Sequence, residues 1–151
     1  MKIAIGCDHA GFALKETILT VLKNYKHTAL DCGTGSCEER VDFPDFALQA
    51  AQLVATGQAD RAILICGSGV GMCIAANKVK GIRASVCHDS YSARQAVEHD
   101  NLNVLCLGAR IIGPALAEEL VQQFLGATFK TGSRHEERLK KITAFENAHF
   151  K

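Results

Sequence analysis

Arg61-Ala62-Ile63-Leu64-Ile65-Cys66-Gly67-Ser68-Gly69-Val70-Gly71 is the stretch that decides how the rest of the chain is read. An apolar, β-rich run meets a glycine turn, and a helical pattern follows, which places Cys66 at a strand's C-terminal end. Glycines at 67, 69 and 71 let backbone N–H groups converge on an anion, and the next helix aims its positive end at the same spot. A thiol in such a place gives up its proton more readily than a free cysteine. The junction reads as an active site in which a sulfur base faces a substrate that develops negative charge.

Working outward, short β-rich runs alternate with amphipathic stretches. Strands are expected at Lys2–Cys7, His27–Cys32, Arg61–Cys66, Ile82–His88 and Asn103–Leu107. Phe12, Leu14, Ile18, Leu19 and Leu22 give Gly11–Asn24 helical spacing, and Pro44 opens a second helix whose stripe is Ala47, Leu48, Ala51 and Val54. Further helices are expected at Val70–Lys78, Ser90–Glu98 and Pro114–Leu125. This alternation implies right-handed crossovers and a three-layer α/β/α sandwich, Rossmann-like, around a five-stranded parallel sheet. A charged helix from Arg134 to His149 follows, with a thin apolar stripe of Leu139, Ile142, Ala144, Phe145 and, just beyond it, Phe150. Such a stripe suits a partner surface, so a homo-oligomer is expected.

The 151 residues fit one domain, spanning 1–151, with no repeat or linker. A hydrophobic content of 48% with 22% charged residues belongs to a soluble globular protein. The net charge of +1 supplies no field for nucleic acid or a membrane surface, so any phosphate recognition must come from local arginines. No run approaches the roughly 18 apolar residues of a membrane span, and Met1–Ile5 reads as a strand rather than a signal peptide. Seven cysteines without C-x-x-C spacing or histidine partners predict no metal site. Cys7, Cys32, Cys87 and Cys106 read as small hydrophobes in a reducing cytoplasm.

Ligands of a parallel sheet sit beyond the C-terminal strand ends. Those ends carry Asp8-His9, Cys66 with its glycine loop, His88-Asp89 and Gly108-Ala109-Arg110. Asp8 fits substrate contact and fits equally the N-cap of the helix after it. His88-Asp89 reads mainly as a strand end, with Ser90 as a helix cap. The glycine loop matches neither phosphate-loop nor dinucleotide motifs: no Lys-Ser or Lys-Thr follows it, and Met72 stands where a third glycine belongs. Binding a phosphate remains open to it, and so does a bare oxyanion hole of backbone amides. His99 closes a helix, where a cationic imidazole is favoured, as a catalytic group or as a solvated cap. Arg134 and Arg138, flanking His135, share a helical face as a phosphate clamp or as ordinary surface charge. All these groups are expected to converge on one rim.

Gly6-Cys7-Asp8-His9-Ala10-Gly11, Val41-Asp42-Phe43-Pro44, Cys66-Gly67-Ser68-Gly69-Val70-Gly71, Ala75-Ala76-Asn77-Lys78, Gly81-Ile82-Arg83-Ala84, Asn103-Val104-Leu105 and Gly108-Ala109-Arg110 together resemble the B-type ribose-5-phosphate isomerases. That family also holds galactose-6-phosphate and allose-6-phosphate isomerases. The resemblance runs from Lys2 to about Ile142 and implies a dimer, or a dimer of dimers, with active sites at the interface drawing on both subunits. It implies an aldose–ketose isomerisation of a sugar phosphate through an enediolate, with no metal or organic cofactor. By motif, Cys66 is the base, and the amides of Gly67, Ser68, Gly69, Val70 and Gly71 hold the enediolate oxygen. Ser68 stands where a threonine associated with ring opening is usual. His99 is the ring-opening acid, Asp8 and His9 contact sugar or phosphate, and Arg110, Arg134 and Arg138 bind the substrate or its phosphate.

Two residues depart from the family pattern. Asp100 replaces an asparagine that would contact substrate, turning a donor into an acceptor, and is expected to pair with His99 or an arginine. Phe43 replaces a common tyrosine. Both bear on sugar preference, so a six-carbon sugar phosphate is the alternative substrate. The alternative from another class is a non-catalytic flavodoxin-like module binding a nucleotide or flavin.

Overall fold

A computed structural model describes residues 1–150; residue 151, the last of the expected domain, lies outside the described residues. The elements in chain order are β1 (Lys2–Cys7), α1 (Phe12–Asn24), β2 (Thr28–Asp31), α2 (Phe43–Ala55), β3 (Arg61–Cys66), α3 (Val70–Ala76), β4 (Ala84–Val86), α4 (Ser90–Asp100), β5 (Val104–Gly108), α5 (Pro114–Gly126) and α6 (Arg134–His149). All five strands are parallel, in the order β2-β1-β3-β5-β4. This is the α/β/α sandwich that the alternating pattern predicts.

Period-two alternation explains the two layers of helix. Ile3, Ile5, Ile63, Ile65, Leu105 and Leu107 face one side of the sheet, where they join Leu14, Ile18, Val97, Leu120 and Phe124 of α1, α4 and α5. Ala4, Ala62, Leu64, Val104 and Cys106 face the other side, against Ala47, Ala50 and Ala51 of α2 and Met72 of α3. Large side chains thus fill one layer, while alanines let α2 lie close on the other. The three central strands are buried on both faces, which is why they read as continuous apolar runs.

The boundaries differ where side chains replace backbone. β4 covers only Ala84–Val86 because Asn103 Oδ1 takes the Arg83 amide (2.8 Å) and Asn77 Oδ1 takes that of Ala84 (2.9 Å). The Asn77 side-chain amide also donates to the Ala84 carbonyl (2.9 Å), so an asparagine does the work of a neighbouring strand. α3 stops at Ala76, short of Lys78, as the amides of Lys78 and Val79 turn back three residues to Ala75 and Ala76. Asp89, rather than Ser90, caps α4 by accepting from the Ser92 amide (2.7 Å). α4 runs on to Asp100 and ends on Asn101, which is left-handed at φ 53°.

Direction matters most for the site. Each of α1 to α4 starts near the C-terminal strand ends and returns to the opposite edge, because the next strand must run parallel to the last. The last turn of α4 therefore lies at the N-terminal edge of the sheet. So does the turn that opens α6: Arg61, at the start of β3, donates to the Ala127 carbonyl (2.9 Å), and the Lys130 amide donates to that of Glu98 (2.9 Å). α6 buries none of its residues.

Candidate active site

At the C-terminal ends of β1, β3 and β5, Asp8, His9, Phe43, Cys66, Gly67, Ser68, Gly71, Arg110 and Ile111 line an open cavity of about 410 Å³. Its centre is the strand-to-helix turn that opens with Cys66. Gly69 sits at φ 80°, and a Cβ there would come within 3.1 Å of the Leu107 backbone, so only glycine turns the chain this tightly over β5. The turn brings the Gly69 amide onto the Cys66 sulfur at 3.1 Å. The Val70 amide reaches the Ser68 hydroxyl at 3.3 Å. Among the described residues, no protein acceptor takes the amides of Gly67, Ser68 or Gly71.

The five amides of the turn therefore have different surroundings. Gly69 serves the sulfur and Val70 the serine, while three remain free to face a ligand. The Arg110 side chain lies beside Gly67, and Arg110 is held in turn by its own amide on the Gly67 carbonyl (3.0 Å). Asp8 is buried and accepts from the Gly11 amide (2.8 Å), so it does organise the turn into α1, although Gly11 is the residue that precedes the helix. His9 Nδ1 accepts from the Val41 amide (3.3 Å), which leaves the proton of the neutral ring on Nε2. Among the described residues, no cluster of three or more His, Cys, Asp or Glu side chains is placed to hold a metal ion.

The other cysteines behave differently. Burial pushes the Cys7 thiol up to about 11 and raises Cys87 and Cys106 as well, as expected of inert hydrophobes. Cys73 is the exception. The Cys106 thiol beside it, outweighing burial, brings it down to about 7, while its Sγ donates to the Ala84 carbonyl (3.4 Å). Nothing in the spacing of these two cysteines announces that contact. His88 is structural: its Nε2 accepts from the Gly108 amide (3.0 Å), and burial lowers its pKa.

His99, Asp100, Arg134 and Arg138 do not line the Cys66 cavity. The expectation of a single rim is corrected here, and the cause is the antiparallel run of α4 against the sheet. At the opposite edge His99, Arg134 and Arg138 make a second cluster with His135. The His99 and His135 rings stack with centroids 3.8 Å apart and planes 9° from parallel. Burial and the neighbouring cations of His99, Arg138, Arg134 and Lys130 lower the pKa of His135. Glu98 ties α4 to the turn before α6 through Lys130 (2.7 Å) and pairs within its own helix with Arg94 (2.8 Å), and these partners draw its carboxyl down to about 2. Asp100 makes no ion pair with His99 or an arginine among the described residues, contrary to expectation; it lines a separate cavity with Asn77, Arg83 and Gln95.

The family model described as Ribose/Galactose Isomerase matches residues 3–142. The chain belongs to that family. Its sequence is 49% identical over 145 residues to the ribose-5-phosphate isomerase B of Escherichia coli, covering 96% of each chain. The solved ribose-5-phosphate isomerase B of Clostridium thermocellum superimposes with a TM-score of 0.94 at 48% identity, covering 99% of both chains. The Mycoplasma genitalium ribose-5-phosphate isomerase B, solved with bound ribulose-5-phosphate, superimposes with a TM-score of 0.90 at 41% identity, covering 97% of this chain and 96% of that one. Membership displaces the flavodoxin-like binding module.

Neither Ala10 nor Ile111 is expected from the sequence as a site residue, and Phe43 only as a group bearing on sugar preference; all three line the cavity. Phe43 packs its ring on Gly71, where a Cβ would lie 2.8 Å from it, and so forms the apolar wall beside the free amides. The signal available in sequence was its place immediately before the proline of α2. Ile111 had a fainter one, an apolar residue directly after the strand-end arginine, and it is 61% exposed.

Proposed function

We propose that this chain interconverts ribose 5-phosphate and ribulose 5-phosphate. The observation that carries the reading is the Cys66 sulfur standing beside the unoccupied amides of Gly67, Ser68 and Gly71, in a cavity that also presents Asp8, His9 and Arg110. The Gly69 amide fixes Sγ in the cavity (3.1 Å), and the thiolate is the form of that sulfur able to accept a proton. Cys66 removes the proton from carbon 2 of the open-chain aldose, and the electron pair moves through carbons 1 and 2 onto the carbonyl oxygen. The free amides hold that oxygen as charge develops. A proton passes from the carbon-2 hydroxyl to the oxygen on carbon 1, the thiol returns its own proton to carbon 1, and the ketose results. Proton transfers alone complete the conversion, so it calls for no cofactor.

Ring opening needs an acid and the phosphate needs cations, and both lie in the second cluster, at the far edge of the sheet. A complete site therefore takes Cys66 and its cavity from one copy and His99, Arg134 and Arg138 from another. We accordingly propose a homodimer in which each protomer is one domain, working in the reducing cytoplasm, where its seven cysteines stay free as in the structure. Arg110, Asp8 and the Nε2–H of His9 position the sugar phosphate from the cysteine side.

Purified protein should produce ketose from ribose 5-phosphate, with allose 6-phosphate and galactose 6-phosphate as comparison substrates. Turnover of a hexose phosphate at a kcat/KM above that of ribose 5-phosphate would move the assignment to the six-carbon branch. No turnover of any of the three would remove it.

A further inference from the structure

Gln95 stands one helical turn before His99 on α4, and its Nε2 lies 2.8 Å from His99 Nδ1. His135 covers one face of the same ring. Among the described residues, no protein group bonds His99 Nε2, so one nitrogen is held and the other is free. We infer that Gln95 is a positioning residue for the isomerase, fixing which nitrogen of His99 carries the proton offered to the sugar ring. The inference rests on the proposed role of His99 as ring-opening acid.

An amide N–H can donate to Nδ1 only when that nitrogen is bare, so the proton of the neutral ring sits on Nε2. When the ring takes a second proton, a half-turn of the Gln95 amide presents its oxygen to Nδ1–H. The same side chain thus supports both protonation states, and in both of them Nε2 keeps a proton to give. A carboxylate in its place accepts only from Nδ1–H. It would hold the ring cationic to higher pH and, once the ring became neutral, strip Nε2 of its proton.

The surroundings make this choice of side chain matter. From α6 and the turn before it, Arg134, Arg138 and Lys130 bring cations toward the stacked pair, and they lower the pKa of His135 within it. From α4, Glu98 is occupied by Lys130 and Arg94, and Asp100 is exposed without an ion pair among the described residues. Gln95 is half-buried and adds no charge to that balance.

Two variants and two reactions test the inference. Ribose 5-phosphate must open its furanose before isomerising. Ribulose 5-phosphate cannot close one, because its carbon-5 oxygen carries the phosphate; deuterium uptake from deuterium oxide at its carbon 1 reports proton abstraction alone. Gln95→Leu should lower kcat for ribose 5-phosphate by at least about tenfold and leave deuterium uptake within about twofold. Gln95→Glu should give the ribose 5-phosphate profile an alkaline limb that is absent from the unaltered enzyme and from the deuterium exchange. Equal losses in both reactions would reduce Gln95 to a structural residue, and unchanged profiles in both variants would overturn the inference. His99→Asn separates this from the wider reading. If it spares ribose 5-phosphate turnover, the acid role itself fails; if it impairs turnover while both Gln95 variants behave as unaltered enzyme, only the positioning role fails.

Discussion

Cys66→Ala and His99→Asn damage opposite halves of the proposed site, and mixing the two proteins is the sharpest test of where those halves meet. Cys66 ends β3 at the C-terminal edge of the sheet, whereas His99 ends α4 at the other edge. If each site takes one half from each protomer, a mixed dimer holds one site with both residues intact and one site with both replaced. Equal amounts of the two variants, allowed to exchange subunits freely, form mixed dimers half of the time. Half of the sites in those dimers are intact, so turnover should recover to about one quarter of the unaltered value. Each variant alone should show on the order of 1% or less, since each lacks a proton-transfer group. Continuous measurement of ketose formation during exchange gives the rise, and differently tagged subunits give the fraction of mixed dimers. A mixture that stays at the sum of its two parents, while tags show that mixed dimers have formed, would refute the shared site.

Cys66→Ala should abolish isomerisation while ribose 5-phosphate still binds, whereas Cys7→Ala and Cys106→Ala should leave the chemistry in place; iodoacetamide should modify Cys66 in a substrate-protected manner, read by peptide mass. Arg138→Ala should raise KM by at least about tenfold, the equivalent of losing a charge-assisted pair of about 1.5–3 kcal/mol; an unchanged KM would leave Arg138 as surface charge. Asp100→Asn should keep kcat/KM within about threefold, because Asp100 is exposed and outside the Cys66 cavity; a loss above about a hundredfold would give the carboxylate a catalytic part. Gly11→Ala should destabilise the fold by about 3 kcal/mol or more in urea unfolding, since its Cβ would lie 2.2 Å from the Ile65 carbonyl oxygen; an unshifted midpoint would show that the contact relaxes freely.

The layers were legible because β3 and β5 are covered on both faces and therefore read as unbroken apolar runs, while α1 and α2 carry clear helical stripes. The cysteine half was legible for a related reason: Asp8, Cys66 and Arg110 each lie at, or within two residues of, a strand's C-terminal end, and a parallel sheet gathers such residues at one edge. The imidazole half was placed on that edge wrongly. His99 was judged by its neighbours in sequence, but its position is set by the direction of α4, which carries its last residues back across the sheet. The pairing expected between Asp100 and His99 failed locally, since residues adjacent on a helix point in different directions. β4 was overextended because Asn77 and Asn103 satisfy the backbone that a longer ladder would have used. The contacts of Gln95 with His99 and of Cys73 with Cys106 depend on how side chains turn once their elements are packed, and a periodic pattern carries no such information.

Separating the two halves also gives α6 a reason to exist. It follows α5, after the sheet is complete, buries none of its residues, and exposes Ile142 and Phe145 at 57% and 63%. A helix that adds nothing to its own core still loses conformational freedom on ordering, and an exposed apolar stripe alone does not offset that loss. Two of its attachments are directed at the second cluster, since Glu98 holds the turn before it and His135 stacks on His99, while Glu146 Oε1 accepts from the Gly81 amide (2.8 Å) near its other end. α3 presents a matching feature on the cysteine side, where Val70 and Ile74 are 51% and 59% exposed beside the glycine turn. Apolar residues that flank both halves of a divided site can be covered, and the site closed, by the same act of association. On this reading, the contacts that stabilise the dimer are also the contacts that bring an acid and two arginines to Cys66.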